Sequence, residues 1–566
     1  MNFDWRSLAP DLAGQLLAGS VGTGHLSAVG RRCLELAASD PGQAQVYGRL
    51  ALDTVASAWA WSPLDHRAAE QVLSLLGTSQ GQGQAHPLRT FADMVVQASR
   101  PSPEAQRAAG LVTRGRVDQA QELLASALGR DPLSAPLLRQ VMDLGLRQDR
   151  LDWATALLSR PWPPAAEPLQ AAILADLAFF RQDWEAAAHY YEQALDSRAF
   201  PALRPRLAEC RLRQGQREAA ILEYRAACQA QPWNTSALLR LADLAQEVDL
   251  ETALLPGRVA VLLYSYNKAT ELAATLAALF TSDLPRAKVL VLDNGSTDGT
   301  GQVLDAWDER VNGRAEGQLI RVDLPVNIGA PAARNWLLAR PEVQAADFVA
   351  YVDDDALPPA DWLGKLGAAV QRFPQAGAWG CKVVDAALPR IIQSADLHLK
   401  PEDAQAAPSG HQTPAPLHND PQRTPGQVRT TDMHLESLDF GQFDCLRPCV
   451  SVTGCLHLFR TEELTAAKGF DIRFSPSQYD DLDRDLASCL AGKPAVYSGH
   501  LAVPHLKRSG ELAKVSPAAT GNGLGNQHKL NHKYPQSALT RLREFDLANM
   551  IEDMEEKQEE LRRLGL

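Results

Sequence analysis

The chain has 566 residues, room for two to four domains at ~150 residues each. Its 68 acidic against 56 basic residues leave a net charge of −12, which argues against a general polyanion-binding surface and so against nucleic acid as a partner. Eight scattered cysteines make no disulfide framework and fit a reducing compartment. The N-terminus has no basic region leading into a long apolar run, and no apolar stretch approaches the ~20 residues of a membrane span. The expectation is a cytoplasmic protein without a transmembrane segment.

Residues 1–250 are rich in Ala, Leu, Gln and Arg and read as helix throughout, with 1–100 a first segment that places Trp59 and Trp61 in its core. Over 101–250 a pattern recurs: Gly115-Arg-Val-Asp-Gln-Ala120, Asp149-Arg-Leu-Asp-Trp-Ala154, Gln182-Asp-Trp-Glu-Ala-Ala187 and Gly215-Gln-Arg-Glu-Ala-Ala220. The closing alanines fall 34, 33 and 33 residues apart, and Ala127, Ala194 or Ala227 follows seven residues later, with Pro161 the exception. Small residues suit the contact between two helices of a hairpin, and Pro132 and Pro232 suit the end of the second helix. About four units over 104–237 resemble the tetratricopeptide repeat, a helical repeat that implies a groove for a peptide or protein.

At Pro256-Gly257 the character changes. Val259–Tyr264, Val289–Leu292, Leu319–Val322 and Phe348–Val352 are short apolar runs about 30 residues apart with helix-like sequence between them. That alternation predicts parallel βαβ units, whose active sites lie beyond the carboxyl ends of the strands. There the second run ends in Asp293-Asn-Gly-Ser-Thr-Asp-Gly-Thr300, and the third leads into Asn327-Ile-Gly-Ala-Pro-Ala-Ala-Arg-Asn335. Arg334, one turn into the following helix, suits a phosphate or a carboxylate. The fourth run ends in Asp353-Asp-Asp355, three carboxylates that repel one another and are costly to bury unless a hard cation such as Mg²⁺ or Mn²⁺ joins them.

These motifs resemble a family-2 glycosyltransferase with the GT-A fold. Tyr264-Ser-Tyr-Asn267, the Asp293, Asn327–Asn335 and Asp353–Asp355 segments, Thr453-Gly-Cys-Leu-His-Leu-Phe-Arg460, Gly469-Phe-Asp471, Tyr479-Asp-Asp-Leu-Asp483 and Val503-Pro-His505 come in the family's order. The resemblance covers about 257–510, within a catalytic domain set at 257–515. It implies an α/β, Rossmann-like, mostly parallel sheet behind the all-α repeat domain.

It also implies roles. Tyr264, Tyr266, Asn267, Asp293, Asn327, Arg334, Asp353 and Asp354 would hold the nucleotide-sugar, with Asp293 on the base. Asp353, Asp355 and His505 would hold Mn²⁺ or Mg²⁺. Asp481 holds the family's base position; the glutamate that usually precedes it is replaced by Asp480, which with Asp483 is a reserve candidate. A base opposite the leaving diphosphate implies inversion at the anomeric carbon. UDP- or dTDP-sugars are the favoured donors, and a protein recruited by the repeats, flagellin or another surface protein, is the favoured acceptor. Polysaccharide or lipid-linked glycan acceptors, and a non-catalytic repeat scaffold, are the alternatives.

Cys445, Cys449 and Cys455 with His457 lack the paired spacing of a zinc site and read as a buried thiol cluster near the acceptor side. Residues 385–448 carry six prolines between 401 and 426 and no aromatic before Phe440, and read as a long, largely irregular insertion, either an acceptor-side lid or a disordered loop; the family resemblance implies that this part of the chain shapes the acceptor site. Lys507 and Arg508 are candidates to steady the diphosphate, with solvated surface charge the better reading for either one alone. Residues 516–566 read as a flexible basic stretch, Gly521–Lys533, and a C-terminal helix from about 537 to 564, with Leu539, Leu542, Phe545, Met550 and Met554 on one stripe.

Overall fold

A computed structural model describes residues 3–78, 86–285, 287–313, 317–401, 427–507 and 517–566. The chain forms two compact units: residues 1–245 with 440–442 and 560–566, and residues 246–439 with 443–559.

Up to residue 245 the described part of the first unit is helical. Antiparallel hairpins pair Pro103–Thr113 with Val117–Arg130, Ala135–Arg147 with Leu151–Leu158, Glu167–Phe180 with Trp184–Asp196, and Arg204–Arg213 with Arg217–Ala230. The sequence period is the period of the turns. Gly115, Asp149, Gln182 and Gly215 all take positive φ, of 72°, 55°, 61° and 76°. After each, the next N–H reaches back five residues: Arg116 to Leu111, Arg150 to Gly145, Asp183 to Ala178 and Gln216 to Arg211, at 2.9, 3.1, 3.0 and 2.9 Å. This is the bond that closes a helix through a left-handed residue, and only two of the four turns use the glycine that adopts it without strain. Ala120, Ala154, Ala187 and Ala220 are fully buried where the paired helices touch.

A second repetition escapes the sequence pattern. Tyr191 donates to Asp176 at 2.7 Å and Arg206 to the same carboxylate at 2.8 Å. One period on, Tyr224 donates to Glu209 and Arg240 to Glu209, both at 2.8 Å. Each buried carboxylate is thus held by a tyrosine from its own hairpin and an arginine from the next, so successive hairpins share a charge pair that is costly to break singly. The Arg206 guanidinium also lies 4.0 Å from the ring centre of Phe440 and 4.7 Å from that of Trp61.

The second unit is built on a nine-stranded sheet. Its strands are β1 (Val259–Ser265), β2 (Ala287–Asp293), β3 (Leu319–Asp323), β4 (Phe348–Val352), β5 (Ala378–Asp385), β6 (Ile392–Ser394), β7 (Leu446–Cys449), β8 (Leu456–Arg460) and β9 (Ala495–His505). The order is β3-β2-β1-β4-β8-β5-β9-β7, with β6 on β5. The first four strands run parallel, with helices between them, as the 30-residue spacing predicts. From β8 onward the sheet is mixed: β8 is antiparallel to β4 and β5, while β9 is parallel to β5. This is the α/β GT-A arrangement. Val261, Leu263, Val289, Val291, Ala350 and Val352 lie buried in one core with Leu272, Leu276 and Trp362 from the covering helices. Near-continuous apolar runs are what a sheet covered on both faces requires.

Two expectations differ from the structure. The span 385–448 is not irregular at its ends, which carry β6, most of β7 and bridges such as Ile391 to Leu438 and Leu399 to Thr430; residues 402–426 lie outside the described residues. Gly521–Lys533, read as a flexible stretch, lies within the helix Pro517–Lys533. Its glycines weigh against helix by about 1 kcal/mol each, but Leu530 and Tyr534 are buried with Phe474, Leu482 and Leu486. The last helix, Gln536–Arg563, buries Leu539, Leu542, Met550 and Met554 of its stripe. Among the described residues, no helix is long and apolar enough to cross a membrane.

Candidate active site

The carboxyl ends of β1, β2 and β4 open on a cleft of about 410 Å³. It is lined by Tyr264, Tyr266, Asn327, Arg334, Asp353, Asp354, Asp355, Asp480, Asp481, His505 and Lys507 among the residues singled out in the sequence. Arg508 lies outside the described residues. Asn267 and Asp293 do not line the cleft, because their side chains are spent on the turns that build it. Asn267 Oδ1 accepts from Thr297 N at 2.7 Å, and Asp293 Oδ1 accepts from Ser296 N at 2.9 Å. Gly295 brings the turn after β2 against the turn after β3: at φ 79°, a Cβ there would sit 2.6 Å from the Val326 carbonyl carbon. The second turn is then fixed by Asn294, which donates to Asn327 Oδ1 at 3.0 Å and accepts from Ile328 N at 3.0 Å.

The three aspartates after β4 have different partners. Ser265 Oγ donates to Asp354 at 2.6 Å, and the Lys268 ammonium bridges Asp354 and Asp355 at 3.1 and 2.6 Å. His505 Nε2 lies 2.9 Å from Asp355 Oδ1. Burial opposes ionisation of Asp355, but His505 and Lys268 hold its carboxyl below the usual carboxylate range. Asp354 is raised, by burial first, with Lys268 opposing. Asp353, half-buried and 3.7 Å from Arg334, is pushed up to about 6 by burial and by Asp355 and Asp354. Such a group gains from a cation. The donor set fits one: ligand atoms of Asp353, Cys455 and His505 lie within 4.8 Å of one another, with Asp355 hydrogen-bonded to His505.

His505 is placed by β9. Leu357 N donates to Pro504 O and Leu506 N to Asp355 O, at 2.8 and 2.9 Å, pinning the strand end beside the aspartates. Gln393 on β6 gives its amide hydrogens to Lys507 O at 2.8 Å and Asp385 at 3.4 Å. Its carbonyl oxygen, 2.8 Å from His505 Nδ1, therefore accepts a hydrogen bond from Nδ1, and Nε2 is the nitrogen that faces the carboxylates.

On the opposite wall, Asp480, Asp481 and Asp483 open the helix Asp480–Leu490. Asp480 is buried and accepts from Arg334 Nη1 at 2.6 Å, so this reserve candidate is committed to an ion pair. Arg334 also stacks among Tyr264, Tyr351 and Phe470. Asp483 leaves the cleft: Lys533 and Tyr534 donate to it at 2.7 and 2.9 Å. Asp481 remains on the lining, oriented by Gly454 N at 2.8 Å and Leu482 N at 2.9 Å. A Cβ at 454 would lie 2.9 Å from both Arg334 Nη2 and Asp481 Oδ2, so a larger residue there would displace the ends of these two side chains.

Four contributors carry no sequence signal of their own: Lys268, Gln393, Cys455 as a lining residue, and Asn526. Buried Asn526 donates to Phe474 O, Ser477 O and Gln478 O at 2.6, 2.8 and 3.2 Å, holding the loop that supplies Pro476, Ser477 and Gln478 to the lining. The thiol cluster read from the sequence is divided: all eight cysteines are free and buried, but Cys455 immediately precedes β8 at the cleft, while Cys445 precedes β7 and Cys449 ends it.

Residues 260–413 match Glycosyl transferase family 2. The chain carries a family-2 glycosyltransferase domain. Asp353–Asp355 fall inside the matched span; Asp481 and His505 follow it. No curated protein matches the chain. Solved structures similar to this chain include GalNAc-T7 with UDP, GalNAc and Mn²⁺, at 13% identity and TM-score 0.36 over 50% of this chain and 49% of that one. Another is the mannosyltransferase PcManGT from Pyrobaculum calidifontis with GDP-Man and Mn²⁺, at 19% identity and TM-score 0.30 over 58% and 85%. A third is S. aureus TarS 1-349 in complex with UDP, at 18% identity and TM-score 0.30 over 51% and 70%. The chain spans about half the length of the first of these.

Proposed function

We propose that the protein transfers a sugar from a nucleoside-diphosphate donor, UDP- or dTDP-linked, to an acceptor hydroxyl with inversion. The observation that carries this reading is one cleft lined by Asp353–Asp355 and His505 on one wall and Asp481 on the other. Asp353, Asp355 and His505 would hold Mn²⁺ or Mg²⁺, which when bound supplies positive charge for the leaving diphosphate. Arg334, buried against Asp480, engages that carboxylate in an ion pair and leaves Asp481 to take the acceptor proton. Its two backbone hydrogen bonds aim the carboxylate and cost no reorganisation during transfer. Lys507, at the rim, suits the diphosphate, and Asn267 and Asp293 shape the nucleotide side through their turns.

A protein acceptor recruited by the helical hairpins, flagellin or another surface protein, is the acceptor class this reading favours. Release of UDP or dTDP from sugar donors with Mn²⁺, in the presence of candidate proteins or of glycans, tests donor and acceptor together. Asp481→Asn is expected to lower turnover by ~10³-fold while nucleotide affinity stays within about threefold. Full turnover in that variant would remove Asp481 as the base.

A further inference from the structure

We propose that the Cys455 thiolate is itself a ligand of the cation at this cleft, with Asp353 and His505, so that the site prefers thiophilic divalent ions such as Zn²⁺, Cd²⁺ or Co²⁺ to Mg²⁺. This rests on the reading of the cleft as a cation site and adds the identity of a donor. The geometry comes from strand register. β8 runs antiparallel to β4 with Leu456 opposite Val352, and Asp353 N donates to Cys455 O at 2.9 Å. Residues 353 and 455 are therefore a cross-strand pair, whose side chains share one face. His505 reaches the same point from β9, where it bridges Ala356. One ligand atom from each of the three lies within 4.8 Å of the others, the spacing of donors around a single ion. Among the described residues this is the group of His, Cys and carboxylate side chains that meets that condition.

The surroundings suit coordination. Cys455 is buried against the β-sheet core yet lines the cleft, so the sulfur is fixed by packing and open on one side. Gln393 Oε1 accepts the hydrogen bond from His505 Nδ1, so Nε2 is the nitrogen available to an ion in place of its contact with Asp355, the usual support of a metal-bound imidazole. The bond forms between Sγ and the ion, and the thiol proton leaves to solvent. A sulfur donor beside imidazole and carboxylate shifts preference away from Mg²⁺, which takes oxygen ligands and water, towards softer ions.

The test uses full-length, metal-free protein titrated with Co²⁺ and with Zn²⁺, with and without UDP. The expected result is a near-ultraviolet thiolate-to-cobalt charge-transfer band that saturates at one ion per chain and is lost in Cys455→Ser. That variant is also expected to lose about 30-fold in Cd²⁺ affinity while Mg²⁺ affinity stays within about threefold. X-ray absorption of the wild-type Zn²⁺ complex should contain one sulfur at ~2.3 Å, a readout that does not depend on the variant folding. A bound ion with only nitrogen and oxygen neighbours, or a band that survives in Cys455→Ser, would overturn the proposal and leave the transferase reading standing. Failure of every cation to bind, with or without UDP, would overturn both.

Discussion

The second unit holds two clusters of buried aspartates, and they solve the same electrostatic problem in opposite ways. Asp396 and Asp546 are enclosed. His398, fully buried, lies 3.1 Å from the first and 2.9 Å from the second, Arg447 lies 3.3 Å from Asp396, and Leu399 N donates to Asp546 at 2.8 Å. Asp354 and Asp355 are instead neutralised by Lys268, whose side chain is 35% exposed, and the cluster opens on the cleft. A permanent, enclosed set of partners joins the C-terminal helix to the segment after β6. A flexible ammonium can be exchanged for another cation. The difference separates charge enclosed within the fold from charge that opens on a cleft.

The sharpest way to break this comparison is to remove a fixed cation from the enclosed cluster. Arg447→Met leaves Asp396 buried with His398 as its remaining cationic partner and is expected to cost ~3–5 kcal/mol of unfolding free energy. Denaturant unfolding measures it, and a loss below 1 kcal/mol would mean the cluster is not structural. The corresponding change at the cleft has the opposite consequence. Lys268→Met removes the competitor for Asp354 and Asp355, so Mn²⁺ affinity measured by calorimetry is expected to rise by about tenfold, the scale of one exposed charge contact. Weaker Mn²⁺ binding would make Lys268 a support of the site.

The smallest effect is a pH dependence. Burial pulls the His398 pKa down, but Asp546 and Asp396 outweigh burial and Arg447, so it stands above the ordinary value of ~6.5. His434 in the same cluster is pushed down to about 4 by burial, so it stays neutral in this window. A raised folded-state pKa means the contribution of protonated His398 is full below about pH 6.5 and is lost as pH rises through the higher folded value. Unfolding free energy should therefore step downward above pH 6.5 in the wild type and lack that step in His398→Gln. An unchanged step in the variant would assign it to another group.

Much of the second unit was legible in the sequence because a covered parallel sheet leaves long apolar runs, and because Asp353–Asp355, Arg334, Asp481 and His505 sit at strand ends and helix starts. What stayed hidden depends on register between distant strands. Cys455 faces Asp353 only because β8 pairs antiparallel with β4, and Gln393 reaches His505 only because β6 folds back on β5. The helix Pro517–Lys533 was obscured by Gly521, Gly523 and Gly525, whose unfavourable propensity is overridden by tertiary contacts such as those of Asn526 and Leu530. The repeat period was visible in its alanines, but the buried Asp176–Tyr191–Arg206 and Glu209–Tyr224–Arg240 sets were not, since no local pattern marks an acid, a tyrosine and an arginine on three different helices.

The central claim is that the open aspartate cluster joins a cation to a nucleoside diphosphate. Calorimetric binding of UDP, dTDP, GDP and CDP, each with Mn²⁺ and with EDTA, to wild type and Asp355→Ala tests it most directly. The account predicts that UDP or dTDP binds with Mn²⁺, that EDTA abolishes binding, and that Asp355→Ala weakens it by at least about 30-fold. Nucleotide binding of equal strength with EDTA, or in Asp355→Ala, would contradict it.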